Sequence, residues 1–331
     1  MTDRRAFLAA MTSAFAATPA GVAAQPSART SRLGLLHPGS EPPASDSVLT
    51  DYFWVPLREL GYVEGRNLVI ERRYADGRFE RLPLLARELV QAQVDVILAV
   101  GTVAAQAAKA ATTTIPIVFL SNIDPVAVGL VASLAKPGSN ITGVLIAPER
   151  TLASKKLELL KEVVPRATRI ALMLPDDPGV GVERQVEEIQ QAATTLRVDL
   201  PVAWVRGRDY DTAFATISAG RPGALFVGAH SFFVRDRLII IELAAKHRLP
   251  AMYEWPSMVK AGGLMSYGAN ETETYRQVAA YVDRILQGAN PRDIPVWQPS
   301  KLYFVVNLNT AKALGLTLPQ SLLLRADEVV R

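Results

Sequence analysis

Two apolar runs in the first half of the chain, VDVILAV at 94–100 and IPIVFL at 115–120, each end abruptly in small polar residues. These residues are Gly101, Thr102, Ser121, Asn122 and Asp124. Their hydroxyl, amide and carboxylate groups are suited to hydrogen bonding with a small polar molecule. They form no obvious pair of nucleophile and base, so the residue types predict binding rather than catalysis.

Parallel strands are expected to hold these polar residues at one edge of a sheet. An alanine-rich segment follows each apolar run, so that 94–143 has the pattern of strand, loop and helix twice. Short, continuous, β-branched runs are typical of parallel strands that are buried on both faces. Ligands bind at the carboxyl ends of such strands, which is where the polar residues stand.

The alternation of short apolar runs and amphipathic segments continues towards the C-terminus, with a break near residues 140–150. A chain of 331 residues is longer than one hydrophobic core usually supports. Because strand–helix–strand units require right-handed parallel crossovers, we predict an α/β fold with two doubly wound lobes that face each other across a cleft.

Composition and motifs argue against several classes of protein. The net charge is +4 and no run of Lys or Arg exceeds two residues, which is unlike a nucleic-acid-binding surface. The chain has no cysteine, and its three histidines lack the spacing of metal ligands. The turn at Gly101 lacks the further glycines of a dinucleotide site, and there is no P-loop. We therefore predict no metal, no cofactor and no nucleic-acid partner.

Four residues near predicted strand ends are candidates for ligand contact. Thr102 and Asp124 stand before helical segments, where each either caps the helix or binds a ligand. A ligand carboxylate would suit Thr102, and an amine or hydroxyl would suit Asp124. His37 and His230 follow strands on the presumed cleft side, and either is a candidate for ligand contact. The segment that begins at His230, residues 230–233, is expected to be a loop.

One short motif raises the alternative of an exported enzyme. Met265-Ser266-Tyr267-Gly268 is half of a nucleophile elbow, but Leu264 occupies the place of the first glycine. The sequence therefore favours an ordinary strand residue at Ser266. A convergent base and nucleophile in the cleft would be needed to support an enzyme, and a ligand-sensing module for a membrane receptor is a further alternative.

The N-terminus has the features of an export signal. Arg4-Arg5-Ala6-Phe7-Leu8 precedes a short, mildly apolar, alanine-rich run, which resembles a twin-arginine signal. Val22-Ala23-Ala24 then offers small residues for cleavage before Gln25. We predict that residues 1–24 are a signal peptide and that the mature protein is periplasmic.

Short motifs along the whole mature chain resemble the ABC transporter substrate-binding protein family, and in particular its uncharacterised type. The family's better understood members are similar to tryptophan- or aromatic-amino-acid-binding periplasmic proteins. The motifs are LGYVEGRN at 60–67, VDVI at 94–97, GT at 101–102, TTIPI at 113–117, DP at 124–125, GLVASL at 129–134, PG at 137–138, NITG at 140–143, KLELL at 156–160, GGLMSYG at 262–268, NLNTAKALG at 307–315 and RAD at 325–327.

The resemblance implies a type I periplasmic-binding fold, in which two Rossmann-like lobes with parallel sheets close around one ligand. It places lobe I at 31–142 plus 269–297 and lobe II at 143–268 plus 298–331. The chain is expected to cross between the lobes near 140–144, 267–270 and 296–299. The residues expected to face the cleft and bind the ligand are Ser40, Gly101, Thr102, Ser121, Asp124, His230, Ser231, Tyr253 and Tyr267.

The resemblance also implies a function and partners. The protein would capture a small molecule, with an amino acid or a related small carboxylate favoured, and deliver it to an ABC transporter permease and ATPase complex in the inner membrane. It would act as a monomer and perform no chemistry. Tyr253, Phe232 or Trp255 would stack on an apolar part of the ligand.

Overall fold

Two β-sheets organise the protein, as the computed structural model shows for residues 30–41, 50–146, 152–176 and 180–331. The predicted signal peptide at 1–24 lies outside these described residues. The α/β fold class predicted from the sequence is confirmed.

The first sheet has five parallel strands in the order β2-β1-β3-β4-β5. Its strands are β1 (Ser31–His37), β2 (Leu68–Tyr74), β3 (Val96–Val100), β4 (Ile117–Ser121) and β5 (Ile141–Leu145). Every residue of β3 and β4 is buried, because helices cover both faces of the sheet. This burial explains why both strands are continuous apolar runs rather than alternating ones.

The second sheet has seven strands in the order β12-β11-β10-β9-β8-β6-β7. These strands are β6 (Ile170–Pro175), β7 (Val202–Val205), β8 (Ala224–Val227), β9 (Ala251–Tyr253), β10 (Met265–Gly268), β11 (Tyr303–Asn307) and β12 (Glu328–Val330). The pair β10 and β11 is antiparallel, and the other pairs of this sheet are parallel.

Helices connect most of the successive strands. They are α1 (Val55–Glu59), α2 (Leu82–Gln91), α3 (Thr102–Ala111), α4 (Leu152–Val163), α5 (Val180–Thr195), α6 (Tyr210–Ala219), α7 (Ser231–Arg235), α8 (Arg237–Lys246), α9 (Pro256–Lys260), α10 (Glu271–Leu286), α11 (Leu308–Ala313) and α12 (Gln320–Leu323). A π-helical turn, Thr50–Trp54, precedes α1, and short 3₁₀ turns occur at Phe79–Arg81 and Pro291–Asp293.

Four apolar clusters fill the space between the sheets and their helices. In the first sheet, α2 and α3 pack on one face, and α1 and α10 pack on the other. In the second sheet, α4 and α5 cover one face, and α6, α8 and α9 cover the other. We call each sheet with its helices a lobe. Each fully buried large side chain, such as Phe119 or Phe214, stabilises its lobe by about 1.5–3 kcal/mol.

Helix α10 returns the chain from the second sheet to the first lobe. It begins where the side chain of Asn270 accepts a hydrogen bond from the backbone N–H of Glu273, which caps the helix. Its apolar side, including Tyr275 and Val278, packs against strands of the first sheet. After α10 the chain runs beside β5. There the backbone N–H of Trp297 donates to the oxygen of Gly143 (3.0 Å), and the oxygen of Trp297 accepts from the N–H of Leu145 (2.8 Å).

Two sequence-based expectations need correction here. Residues 140–144 were expected to be a connector, but 141–145 form β5, so the predicted lobe boundary between 142 and 143 falls inside a strand. Its backbone pairs with β4 from Ile117 to Ser121, and this pairing keeps it in the first sheet. Residues 230–233 were expected to be a loop, whereas 231–235 form α7.

Candidate functional site

The two lobes meet at the carboxyl ends of their parallel strands. Asn122 follows β4 in the first lobe, and its side-chain Nδ2 donates a hydrogen bond to the backbone oxygen of Ala229, which follows β8 in the second (3.0 Å). On the same interface the rings of Phe79 and His230 meet edge to face, with centroids 6.1 Å apart. The crevice between these strand ends is the candidate ligand site.

The wide part of the crevice is a cavity of about 660 Å³, which is within the usual size range of small-molecule sites. The first lobe contributes Asn122, Ile123 and Asp124, from the loop after β4. The second lobe contributes the N-terminal part of α4, one side of α5 and the ends of β8 and β9. Charged side chains of both signs line it: Asp124, Lys156, Arg184, Glu187, Glu188 and Glu254.

A deeper void of about 30 Å³ lies where the lobes are closest. It holds little more than a water molecule, so the lobes of this structure approach each other closely at this point. Its wall combines mostly apolar residues of the first lobe, including Tyr275, with His230, Glu254 and Trp255 among the residues of the second. The lining residues are Val100, Gly101, Leu120, Asn122, Ile146, Ala229, His230, Val234, Glu254, Trp255 and Tyr275.

A buried ion pair forms part of the wall between these two spaces. Lys156 on α4 donates to Glu254, which directly follows β9, and both side chains are almost completely buried. Glu254 lines both the cavity and the void. Two opposite charges at the wall of a polar cavity are complementary to a ligand that itself carries both charges.

Two histidines at the interface are held in the neutral form. His37 ends β1, and its Nδ1 accepts a hydrogen bond from the backbone N–H of Gly39 (2.9 Å). Burial and the nearby positive charge of Arg235 lower the pKa of His37 to about 4. Burial and the proximity of His37 lower the pKa of His230 to about 3. At neutral pH both imidazoles are therefore uncharged.

Three of the predicted residues lie at the crevice. Gly101 and His230 line the void, and Asp124 lines the wide cavity. The carboxylate of Asp124 also accepts a hydrogen bond from the backbone N–H of Val126 (2.8 Å), so it both caps a turn and faces the cavity. Gly101 has φ +88, a conformation that favours glycine, and this allows β3 to turn directly into α3.

Thr102 and Ser121 lie next to the crevice and bond to each other. Their hydroxyl oxygens are 2.8 Å apart, and both residues are buried. The hydroxyl of Ser121 also donates a hydrogen bond to the backbone oxygen of Ile123 and accepts one from the Ile123 N–H (3.1 Å each). In this structure the two hydroxyls therefore hold the loop after β4 against the start of α3.

The remaining predicted residues are placed differently. Ser40 follows β1 and bonds to Asp76, and Ser231 begins α7, where its side chain is outside what the structure describes. The ring of Tyr253 is in the core of the second lobe, 1% exposed, and packs against Gly263 rather than facing the crevice. Tyr267 packs beside Phe304 of the neighbouring strand, with ring centroids 6.5 Å apart.

Of the six charged residues that line the cavity, the sequence analysis named Asp124 and missed five, among them Glu254 and Lys156. The pattern that predicted Asp124, a carboxylate just after a strand, also applies to Glu254, which directly follows β9. Lys156 carried no such signal, because it is one of two consecutive lysines on a helix and only packing buries it. The crevice also includes Trp255, a predicted stacking residue, and Tyr275, which comes from the apolar face of α10.

Two α/β lobes with largely parallel sheets and a polar crevice at the strand ends define a two-lobed binding protein of the type I periplasmic-binding fold. The sequence profile of the family described as "ABC transporter substrate binding protein" matches residues 48–330. The chain belongs to this family, as its motifs predicted.

Several known proteins are similar to this chain. A "Tyrosine-binding protein" of Clostridioides difficile is 26% identical over 260 residues, which are 78% of this chain and 74% of that protein. A crystal structure of a conserved domain protein from Vibrio cholerae is 28% identical, with a TM-score of 0.78 over 91% of this chain and 100% of the other. A Streptococcus pneumoniae ABC domain in complex with L-Trp is 24% identical, with a TM-score of 0.76 over the same shares, and shows the common fold.

The family defines the general function. Its members are extracytoplasmic substrate-binding proteins of ABC transporters, which bind small molecules and are not enzymes. Ser266 lies in strand β10, and its buried Oγ has no hydrogen-bond partner within the described part of the chain. A search of the described residues found no helix that is long and apolar enough to span a membrane.

Proposed function

We propose that this protein captures an amino acid or a related small carboxylate in the crevice between its lobes and delivers it to an ABC transporter permease and ATPase complex in the inner membrane. The named ligands of the similar proteins, tyrosine and L-Trp, support this class of ligand. The close approach of the lobes around Asn122 and Ala229 supports capture by closure of the two lobes around the ligand.

One observation carries the proposal most directly. Carboxylates that follow strands of both sheets and cationic side chains from helices α4 and α5 line one cavity of about 660 Å³. An α-amino acid carries an ammonium and a carboxylate, and both need partners when the lobes close and exclude water. Asp124 and Glu254 provide carboxylates for the ammonium. Trp255 and Tyr275 provide aromatic surface at the deep end for an apolar or aromatic side chain.

A ligand screen tests the proposal. The mature protein is heated in the presence of each of the twenty amino acids and of a set of small monocarboxylates and dicarboxylates, and compounds that raise Tm are followed by calorimetry. At least one compound is expected to bind with micromolar or tighter affinity, since ligand binding to the folded state raises Tm by mass action. Mass spectrometry of the ligand retained by protein from its host gives an independent answer. Failure of every compound, together with an unrelated retained ligand, would overturn the proposal.

A matched pair of variants assigns the site. Asp124→Asn removes the charge but keeps an oxygen that accepts from the Val126 N–H, so the turn remains capped. It is expected to lower the affinity for an amino acid about tenfold, because a charge-assisted hydrogen bond is lost. The control Asp211→Asn changes the same charge at an exposed position on α6 and is expected to leave the affinity unchanged.

The export prediction belongs to the same proposal. We propose that residues 1–24 are removed near Ala24 and that the mature protein acts as a monomer in the periplasm. Replacement of both Arg4 and Arg5 by Lys is expected to stop export if the signal is of the twin-arginine type. Immunoblots of periplasmic and cytoplasmic fractions, and the intact mass of the exported protein, measure both parts.

A further inference from the structure

A buried arginine of the second lobe lies next to the loop after β1 of the first lobe. Arg235 is the last residue of α7, and its side chain is only 7% exposed. Its Nε donates to Oδ1 of Asp236 (2.8 Å), and its Nη2 donates to Oδ2 of the same carboxylate (2.6 Å). This two-point pairing fixes the plane of the guanidinium group.

The carboxylate that holds Arg235 is itself held firmly. Asp236 is 3% exposed and accepts a hydrogen bond from the hydroxyl of Tyr210 (2.8 Å). It also accepts two from Arg208, at 2.8 and 3.2 Å. Asp236 is therefore a positioning residue for Arg235, and it remains well paired when Arg235 is removed.

The third nitrogen of the guanidinium group, Nη1, takes no part in the pairing with Asp236. Nη1 of Arg235 is buried and has no hydrogen-bond partner in the described ranges. It points across the interface to the loop after β1, where it lies 3.4 Å from the position that a β-carbon on Gly39 would occupy. A buried charged donor without an acceptor is costly, and so this nitrogen calls for an acceptor that arrives with a ligand.

His37 provides a second donor on the same side. Its Nδ1 accepts the backbone N–H of Gly39, so in the neutral ring the proton is on Nε2. The ring is close to Arg235, because the same β-carbon position on Gly39 is 3.0 Å from Cε1 of His37. Arg235 and His37 thus present N–H donors from opposite lobes, and both come together only when the lobes approach.

The local charge favours an anion. Arg235 and Arg208 carry two positive charges, and Asp236 balances one of them. The neutral state of His37 adds no charge. A planar group with two acceptor oxygens matches one guanidinium N–H and one imidazole N–H, and a carboxylate is such a group.

We propose that Nη1 of Arg235 and Nε2 of His37 bind a carboxylate of the transported solute, and that this contact draws the two lobes together. The inference rests on the proposed function, because it assigns the anionic group of the same class of ligand to a defined pair of residues. It makes Arg235 a specificity-determining residue that rejects analogues lacking a carboxylate.

The experiment compares probes with and without a carboxylate. L-Tyrosine, L-tryptophan and 3-phenylpropionate are paired with tyramine, tryptamine and 2-phenylethanol, and acetate is compared with chloride at equal ionic strength. Affinity and Tm are measured for wild type, Arg235→Gln, Arg235→Lys and the control Arg221→Gln, an exposed residue of the second lobe. Circular dichroism and Tm of the ligand-free variants verify that they fold.

Arg235→Gln is expected to weaken the binding of the carboxylate probes by about 10- to 100-fold and to change the carboxylate-free partners by less than about twofold. Arg235→Lys is expected to recover part of the loss, because Lys keeps the charge but not the two-point geometry. Arg221→Gln is expected to behave as wild type.

The other outcomes separate this inference from the proposed function. If amino acids bind wild type and Arg235→Gln equally well, or if probes with and without a carboxylate lose affinity equally, the assignment of Arg235 is overturned while the proposed function stands. If acetate and 3-phenylpropionate stabilise wild type but not Arg235→Gln, and no amino acid binds, the anion site stands and the amino acid is the wrong ligand. If no carboxylate affects wild type, both are overturned.

Discussion

The side-chain amide of Asn122 in the first lobe is bonded to the backbone oxygen of Ala229 in the second, at 3.0 Å. The same oxygen accepts a hydrogen bond from Nε2 of Gln185 on α5 (3.2 Å), and the Ala229 N–H donates to Oε1 of Gln185 (2.7 Å). One peptide at the end of β8 is thus held by a helix of its own lobe and by a side chain of the other. This geometry links the approach of the lobes to a specific hydrogen bond.

Replacing Asn122 with Ala is expected to weaken ligand binding. The variant loses one hydrogen bond that forms only between the lobes, worth about 0.5–1.5 kcal/mol, which corresponds to roughly a 2- to 12-fold lower affinity. Calorimetry measures the affinity, and small-angle scattering is expected to show a larger average radius of gyration.

Asn140→Ala is the matched control. Nδ2 of Asn140 donates to the backbone oxygens of Thr112 and Ile115 (3.1 and 2.8 Å), so its bonds stay within the first lobe. It is expected to lower Tm without changing the affinity of the folded protein. An Asn122→Ala variant with wild-type affinity and dimensions would contradict the role assigned to the interlobe bond.

The buried pair of Lys156 and Glu254 is expected to be sensitive to the removal of either partner. Glu254→Gln leaves an unpaired ammonium in a buried position, which lowers the free energy of unfolding by about 3–5 kcal/mol. Replacing both residues by Met is expected to recover most of this stability, since no buried charge remains. Ligand affinity is not expected to return, because Glu254 lines both parts of the site.

Urea denaturation measures these differences, and an exposed pair provides the comparison. Lys155 and Glu158 are one turn apart on α4 and each is more than 40% exposed, so Glu158→Gln is expected to cost less than about 0.5 kcal/mol. Equal effects of Glu254→Gln and Glu158→Gln would show that the buried position of the first pair does not matter.

His37 is expected to make the protein less stable in mild acid. Its pKa is lowered from 6.5 to about 4, so between these values the unfolded chain binds a proton that the folded protein does not. Its contribution to stability is therefore lost as the pH falls from about 6.5 to about 4, by at most about 1.4 kcal/mol per pH unit. His37→Gln lacks this contribution, so the difference in the free energy of unfolding between wild type and variant is expected to fall as the pH falls from about 6.5 to about 4. Urea titration from pH 4 to 7.5 measures this difference. A difference that is constant across this range would contradict a neutral, buried His37.

Glu271 is expected to act in the opposite direction. It begins α10, is 4% exposed and accepts the backbone N–H of Ser257 (3.0 and 3.3 Å). Burial raises its pKa from 4.5 to about 7, so the folded protein favours the protonated form and its contribution to stability is lost as the pH rises from about 4.5 to about 7. Glu271→Gln is expected to be more stable than wild type at pH 8 by a margin that shrinks towards pH 4.5. Glu273→Gln, at an exposed position two residues further on, is the control, and a margin that does not depend on pH would refute the expectation.

Local pattern was sufficient for the parallel edge of the first sheet. The runs that became β3 and β4 are continuous and β-branched because both of their faces are buried, and this pattern is present in a few consecutive residues. The positions of Gly101 and Asp124 at the crevice follow directly, because residues at the carboxyl ends of neighbouring parallel strands must lie together. Strand β5 did not follow, because its Ile-Thr-Gly-Val-Leu segment becomes a strand only through pairing with β4.

The amino-acid sequence by itself determined the fold class, the family and the edge of the sheet where the crevice lies, since these depend on periodicity and on motifs of neighbouring residues. The tertiary structure alone decided which charges meet there. Lys156 is paired with Glu254 and the free nitrogen of Arg235 lies against the loop of His37 because helices far apart in the chain pack onto the two strand ends. Tyr253 also stands at a strand end, but the pleat of the strand directs its ring into the core of the second lobe, which only the tertiary structure shows.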